Sequence, residues 1–119
     1  YHLSPGIVID LSAYARTTVY RYHAIRLTTG GGGEIAIVTV PGEALHAVGE
    51  RIKAEARRRG ADHVLLLGLA NGALSYIAGP EEYYRGGYEA MATIFGPTTA
   101  PASEEALRRC LDAVGLSRR

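Results

Sequence analysis

The run Glu34-Ile-Ala-Ile-Val-Thr-Val40, stopped by Pro41-Gly42 and answered at His63-Val-Leu-Leu-Leu-Gly-Leu69, decides the fold of this chain. Both stretches are short, apolar and rich in branched side chains, the signature of buried strands. Between them Leu45, Val48, Ile52 and Ala56 recur at helical spacing, which predicts a helix from about residue 43 or 44 to 59 with one buried face. Gly60 is placed to end it as a C-cap. Strand, helix, strand implies a parallel pair joined by a right-handed crossover.

Working outward, residues 17–28 carry Val19, Tyr20, Tyr22, Ile25 and Leu27 and suit a further strand. Gly30 to Gly33 break it, so it should fold back on 34–40 as an antiparallel hairpin. Four glycines invite a phosphate-cradle reading. That loop needs a strand, a glycine turn and a helix start with a Lys-Ser/Thr pair. Here the glycines join strand to strand and no lysine follows. Residues 6–10 (Gly-Ile-Val-Ile-Asp) are a further short strand candidate. Downstream, Pro80 fits a first helical position, so 80–85 should be a helical turn. Residues 88–95 are a second short helix. Ser103 with Glu105 should cap a last helix running to about 114, after a linker at 98–102. The fold class is therefore α/β: a mixed sheet with a β-hairpin, a right-handed βαβ crossover and a C-terminal helix.

The chain has 119 residues, enough for one domain with a real core. Its net charge is +1, so no overall field attracts nucleic acid or an anionic membrane. No apolar run is long enough to span a bilayer, and no signal-peptide pattern opens the sequence. Arg57-Arg58-Arg59 and Arg118-Arg119 are the basic clusters. They read either as solvated helix ends that complement the helix dipole or as a phosphate or headgroup patch. The one cysteine, Cys110, excludes an internal disulfide and suits a small core position. Arginine outnumbers lysine twelve to one, and glutamine and tryptophan are absent.

The chemistry should sit after residue 69. Asn71-Gly-Ala-Leu-Ser-Tyr76 leads through Glu81-Glu82-Tyr83 to Gly86-Gly87-Tyr88-Glu89 and Ile94-Phe95-Gly96-Pro97. Tyrosines, glycines and an asparagine make a poor core. At the C-terminal end of a buried strand they make a good site. Glu43 follows the strand at 34–40 and Tyr76 follows the strand at 63–69, so parallel neighbours would bring both to one rim.

From the residues alone, Glu43 reads as a first-turn acid that stabilises its helix by ~0.3–1 kcal/mol. Tyr76 reads as a half-buried aromatic, and Asn71 as a turn former. His46, three residues after Glu43, would supply half of a carboxylate di-metal motif, but such centres need two Glu-x-x-His pairs. His63 reads as structural. No nucleophile-elbow serine and no zinc-finger spacing is present.

These segments together resemble the neutral (non-lysosomal) ceramidases. That family runs Asn-x-Tyr-x-x-Tyr, Glu-Glu-Tyr, Tyr-Glu and Tyr/Phe-Gly-Pro, preceded by Pro-Gly-Glu and Gly-Arg-Arg-Leu. Here the upstream pieces are Pro41-Gly42-Glu43 and Gly49-Glu50-Arg51-Ile52. The likeness covers about half the chain and implies one domain, 1–119, equivalent to the C-terminal part of the catalytic domain. It implies hydrolysis of an N-acyl amide bond in a ceramide-like lipid, with Glu43 and Tyr76 as zinc ligands and Tyr88 as a catalytic contact to the substrate carbonyl. A phenol is an unusual ligand, because its ordinary pKa is ~10 and it must be deprotonated or strongly polarised. The other two ligands implied are histidines from an upstream segment. His2, His23, His46 and His63 do not sit in such a motif, so the resemblance implies an upstream segment that is either carried on a companion chain or removed from this one. Ala73 stands where the family has the first tyrosine of its motif, which loosens the tie to sphingolipid. The competing expectation is a non-catalytic binding or assembly module that keeps the fold.

Overall fold

The computed structural model describes residues 19–116. The strand expected at 6–10, the start of the strand expected at 17–28, and Arg118 with Arg119 lie outside them. Strands β1 (His23–Thr28) and β2 (Glu34–Thr39) form the expected antiparallel hairpin, with Ile25 opposite Ile37. A two-residue strand β3 (Glu43–Ala44) precedes helix α1 (His46–Arg58), which leads to β4 (His63–Leu67). β4 lies parallel to β2, with Ile37 opposite Leu65, giving the mixed sheet order β1-β2-β4. β5 (Tyr76–Ile77), α2 (Pro80–Arg85), α3 (Tyr88–Ala92) and α4 (Thr99–Ala113) complete the chain.

The pleat sorts the sheet into two faces. Ala36, Val38 and Val40 point to the covered side and are fully buried. They pack with Val48, Ile52 and Ala56 of α1 and Ala100, Leu107 and Leu111 of α4. Spacings of four in α1, and of seven and four in α4, keep these positions on one side of each helix, so each lays one apolar stripe on the sheet. A buried ionic knot joins the helices at their far end. Arg59 donates to Glu55 at 2.8 Å and to the Leu116 carbonyl at 3.0 Å, and also binds Asp112. Burial alone would raise the Glu55 pKa. Hydrogen bonds from Arg59 and Arg58, with their charges, outweigh it and bring the carboxyl down to about 2. The triple-arginine run is therefore not a free anion patch: Arg59 is in the knot and Arg58 pairs with Glu55.

Several expectations are corrected. α1 starts at His46, not at 43 or 44, because the Glu43 and Leu45 amides donate to Ser75 and Ile77 carbonyls at 2.9 and 3.1 Å. Those bonds hold 43–45 extended. Glu43 is thus no helix acid and shares no helix face with His46. The last helix begins at Thr99, so 98–102 is not a linker. Pro101 is tolerated in a first turn, where amides lack helical partners. Ser103 is not its cap: its hydroxyl bonds back to the Thr99 carbonyl at 2.8 Å and meets the Tyr22 hydroxyl at 2.9 Å. α3 stops at Ala92, where the Thr93 hydroxyl bonds the Glu89 carbonyl at 2.8 Å. Cys110 is half-buried, with its thiol pKa raised by burial.

β4 is shorter than expected and is not buried on both sides. Leu65 and Leu67 alternate with Val64 and Leu66 and face outward, and His63 is exposed.

Candidate functional site

The Pro41-Gly42-Glu43 segment and the Ser75-Tyr76-Ile77 segment are zipped together beyond the C-terminal ends of β2 and β4. The Leu74 amide donates to Pro41 at 2.6 Å, Glu43 to Ser75 at 2.9 Å, and Leu69 to Gly42 at 3.1 Å. β3 and β5 form a parallel pair in which Glu43 stands directly opposite Tyr76. Neighbouring strands run about 4.8 Å apart, so the carboxylate and the phenol rise from adjacent backbone positions. They reach this placement although 32 residues separate them in sequence.

Gly42 makes the close approach possible. A Cβ there would sit 2.5 Å from the Ser75 carbonyl oxygen and 3.1 Å from Ile77 Cγ1. The chain on the other side is bent to meet it: Leu69, Asn71 and Ser75 have φ of 52°, 64° and 72°. Non-glycine residues hold this region only when surroundings over-determine it, and such positions cluster at sites. The Ser75 hydroxyl donates to the Ala92 carbonyl at 2.7 Å. Asn71, besides turning the chain, brings its amide to His23 Nδ1 at 3.0 Å. Buried Thr93 accepts from the Ala78 amide at 3.2 Å, tying the exit of β5 to α3.

That tie positions Tyr88. Its ring meets the Tyr76 ring edge-on, with centroids 5.6 Å apart at 79°. The structure therefore brings Glu43, Tyr76 and Tyr88 to one rim. His46, His63 and the Glu81–Glu82 pair are not part of this constellation. Gly42, Ser75 and Thr93 are positioning residues that the sequence did not announce. Only Gly42, in Pro-Gly-Glu, carried a signal, and it pointed to a turn rather than to a close approach.

The Tyr76 pKa is raised, first by the Glu43 charge, then by burial, Tyr88, a hydrogen bond to Glu43, and Glu89. Without a cation the phenol keeps its proton. A carboxylate is an ordinary zinc ligand, whereas a phenol is not among the usual ones. Among the described residues no group of three or more His, Cys, Asp or Glu is placed to hold a metal.

The chain is similar to known proteins. The family model "Neutral/alkaline non-lysosomal ceramidase, N-terminal" matches residues 2–105. "Neutral ceramidase 1" of Arabidopsis thaliana is 34% identical over 108 residues, which is 82% of this chain and 14% of the relative. "Neutral ceramidase" of Drosophila melanogaster is 40% identical over 73 residues, 56% of this chain and 10% of the relative. The solved neutral ceramidase of Pseudomonas aeruginosa superposes with a TM-score of 0.59 at 31% identity, covering 69% of this chain and 13% of that one. A "Ceramidase complexed with C2" gives 0.61 at 30% identity with the same coverage. The chain thus spans between a tenth and a seventh of the length of these relatives.

Proposed function

Because the chain belongs to the neutral/alkaline non-lysosomal ceramidase family, we propose that it supplies half of the active centre of a zinc-dependent amide hydrolase. It would correspond to the C-terminal part of the catalytic domain, and its substrate would be an N-acyl amide of the ceramide class. Glu43 and Tyr76 would be two of the zinc ligands. Two histidines from an upstream segment, on the same longer polypeptide or on a companion chain, would complete the set. The observation that supports this most is the direct pairing of Glu43 with Tyr76, with Tyr88 stacked edge-on against Tyr76.

Zinc bound there would acidify a water toward pKa ~7 and polarise the amide carbonyl. The chain's own residues have three tasks. The Glu43 carboxylate brings negative charge to the rim and accepts the Tyr76 hydroxyl proton in a hydrogen bond. Tyr76 would hold a bound cation through its phenol oxygen, with its proton released to solvent. Tyr88 offers an O–H donor to the carbonyl oxygen as it gains charge in the tetrahedral transition state. The Tyr76 ring and the Thr93 tie keep it in place, so the donor costs little reorganisation.

The test is fatty-amide hydrolysis by this chain co-expressed with the upstream portion of Pseudomonas aeruginosa neutral ceramidase as a separate polypeptide. Glu43→Gln and Tyr76→Phe should abolish turnover. Tyr88→Phe should lower kcat by about 100-fold or more, the usual loss of an oxyanion donor, with KM little changed. Full turnover in both Glu43→Gln and Tyr76→Phe would defeat the proposal and favour the binding-module reading.

A further inference from the structure

Tyr88 stands on a short helix with little packing of its own. Among the described residues, α3 buries one side chain, Ala90. The chain enters it through Gly86 and Gly87, at φ of 85° and 102°, where an added Cβ would meet nothing within 4 Å. The direction of α3 is therefore set from its C-terminal end. The last carbonyls of a helix have no partner within it, and here the two ends of β5 hold that end of α3. Ser75, just before β5, donates its hydroxyl to the Ala92 carbonyl at 2.7 Å. Ala78, just after β5, donates its amide to the Thr93 hydroxyl at 3.2 Å. The two bonds flank Tyr76 and Ile77, so the strand that carries one phenol grips the helix that carries the other.

Ser75 differs from Thr93 in two ways. Its carbonyl also accepts the Glu43 amide at 2.9 Å, so it touches all three segments of the site. It does so at φ 72°, where glycine sits without penalty and any other residue is held against a conformational cost. A side chain kept there against its preference has a task, and the bond to Ala92 is the one its hydroxyl performs.

We infer that Ser75 is a positioning residue for the oxyanion contact: through its hydroxyl and its carbonyl it sets the distance between the Glu43–Tyr76 pair and the Tyr88 hydroxyl. This rests on the reading of Tyr88 as the donor to the substrate carbonyl. Such a donor acts on the transition state more than on the bound substrate. A displaced Tyr88 therefore lowers kcat and leaves KM nearly unchanged.

The test compares Ser75→Gly with Ser75→Ala. Neither has the hydroxyl, but only glycine is relaxed at this φ, so Ser75→Gly should unfold at the higher urea concentration of the two. In the complex co-expressed with the upstream Pseudomonas aeruginosa portion, both should lower kcat by about 10- to 100-fold, the usual loss when a group is misplaced by an ångström or less. A merely structural role would make kcat follow stability, leaving Ser75→Gly clearly the more active. Added to Tyr88→Phe, Ser75→Gly should change kcat by less than about twofold, because the donor it positions is gone. The chain alone supplies a readout without turnover. The Tyr76 and Tyr88 rings, with centroids 5.6 Å apart, should give an NMR cross-peak with ring-labelled tyrosine that weakens in Ser75→Gly. The inference is overturned if Ser75→Gly keeps the wild-type kcat, if it lowers kcat as much on top of Tyr88→Phe as alone, or if the cross-peak persists unchanged. If Tyr88→Phe turns over like wild type, or the wild-type complex hydrolyses nothing, the donor reading fails, and the cross-peak alone then decides whether Ser75 places Tyr88.

Discussion

Gly42→Ala should destabilise the chain by about 2 kcal/mol, and the reason is local. The added Cβ would lie 2.5 Å from the Ser75 carbonyl oxygen. An ordinary carbon–oxygen contact is about 3.3 Å or longer, so the two segments must part by about 0.8 Å. The same oxygen accepts the Glu43 amide bond at 2.9 Å, so the movement strains that bond as well. Overpacking of a backbone atom costs about 1–3 kcal/mol, and a weakened hydrogen bond adds about 1 kcal/mol. Alanine's less flexible unfolded chain returns about 0.4–1 kcal/mol. The net is about 2 kcal/mol, or a fall of about 8 °C in Tm for a domain of this size. Two controls bracket the effect. Gly31→Ala meets nothing within 4 Å and should be neutral within about 0.5 kcal/mol. Gly79→Ala meets only the tips of the Glu82 and Arg51 side chains, which can swing away, and should cost less than Gly42→Ala. Urea denaturation followed by circular dichroism reads all three. A Gly42→Ala variant as stable as Gly31→Ala would refute the claim that this glycine lets Glu43 and Tyr76 pair.

Two further outcomes follow from the charges. Glu55 has a folded pKa of about 2, below its unfolded value of 4.5, so its contribution is present above pH ~4.5 and is lost as pH falls toward 2. The shift corresponds to roughly 3 kcal/mol, and wild type should lose about that much more stability than Glu55→Gln across this window; equal loss in the two proteins would contradict the ionic knot. In the metal-free chain, Glu43→Gln removes the largest cause of the raised Tyr76 pKa, so that phenol should titrate lower, as followed by NMR of ring-labelled tyrosine; an unchanged or higher titration point would show that the two side chains do not interact.

The hairpin, the crossover and the last helix were legible because each has a clean period: branched residues in 34–40 and 63–69, and apolar positions three or four apart in α1. What was not legible came from tertiary bonds. Glu43 looked like the first turn of a helix until the Ser75 and Ile77 carbonyls captured the amides of 43 and 45. Ser103 looked like a cap because serine followed by an acid is the usual cap pattern, yet its hydroxyl serves Thr99 and Tyr22. Arg59 could not be told from its two arginine neighbours, and only the fold shows which of the three is buried. The candidate site was half legible. The crossover topology put Glu43 and Tyr76 on one rim and the family resemblance added Tyr88; the strand register sets Glu43 opposite Tyr76, and the rings of Tyr76 and Tyr88 touch. The backbone strain at Leu69, Asn71 and Ser75 and the Thr93 tie have no sequence signature. Nor does an apolar strand reveal which of its faces is left open.

The claim that Glu43 and Tyr76 hold a metal is tested most directly by native mass spectrometry of the chain bound to its upstream companion, purified without chelator. The account predicts one zinc ion per wild-type complex and none in the intact complexes of Glu43→Gln and Tyr76→Phe. Zinc retained in both variants would contradict it.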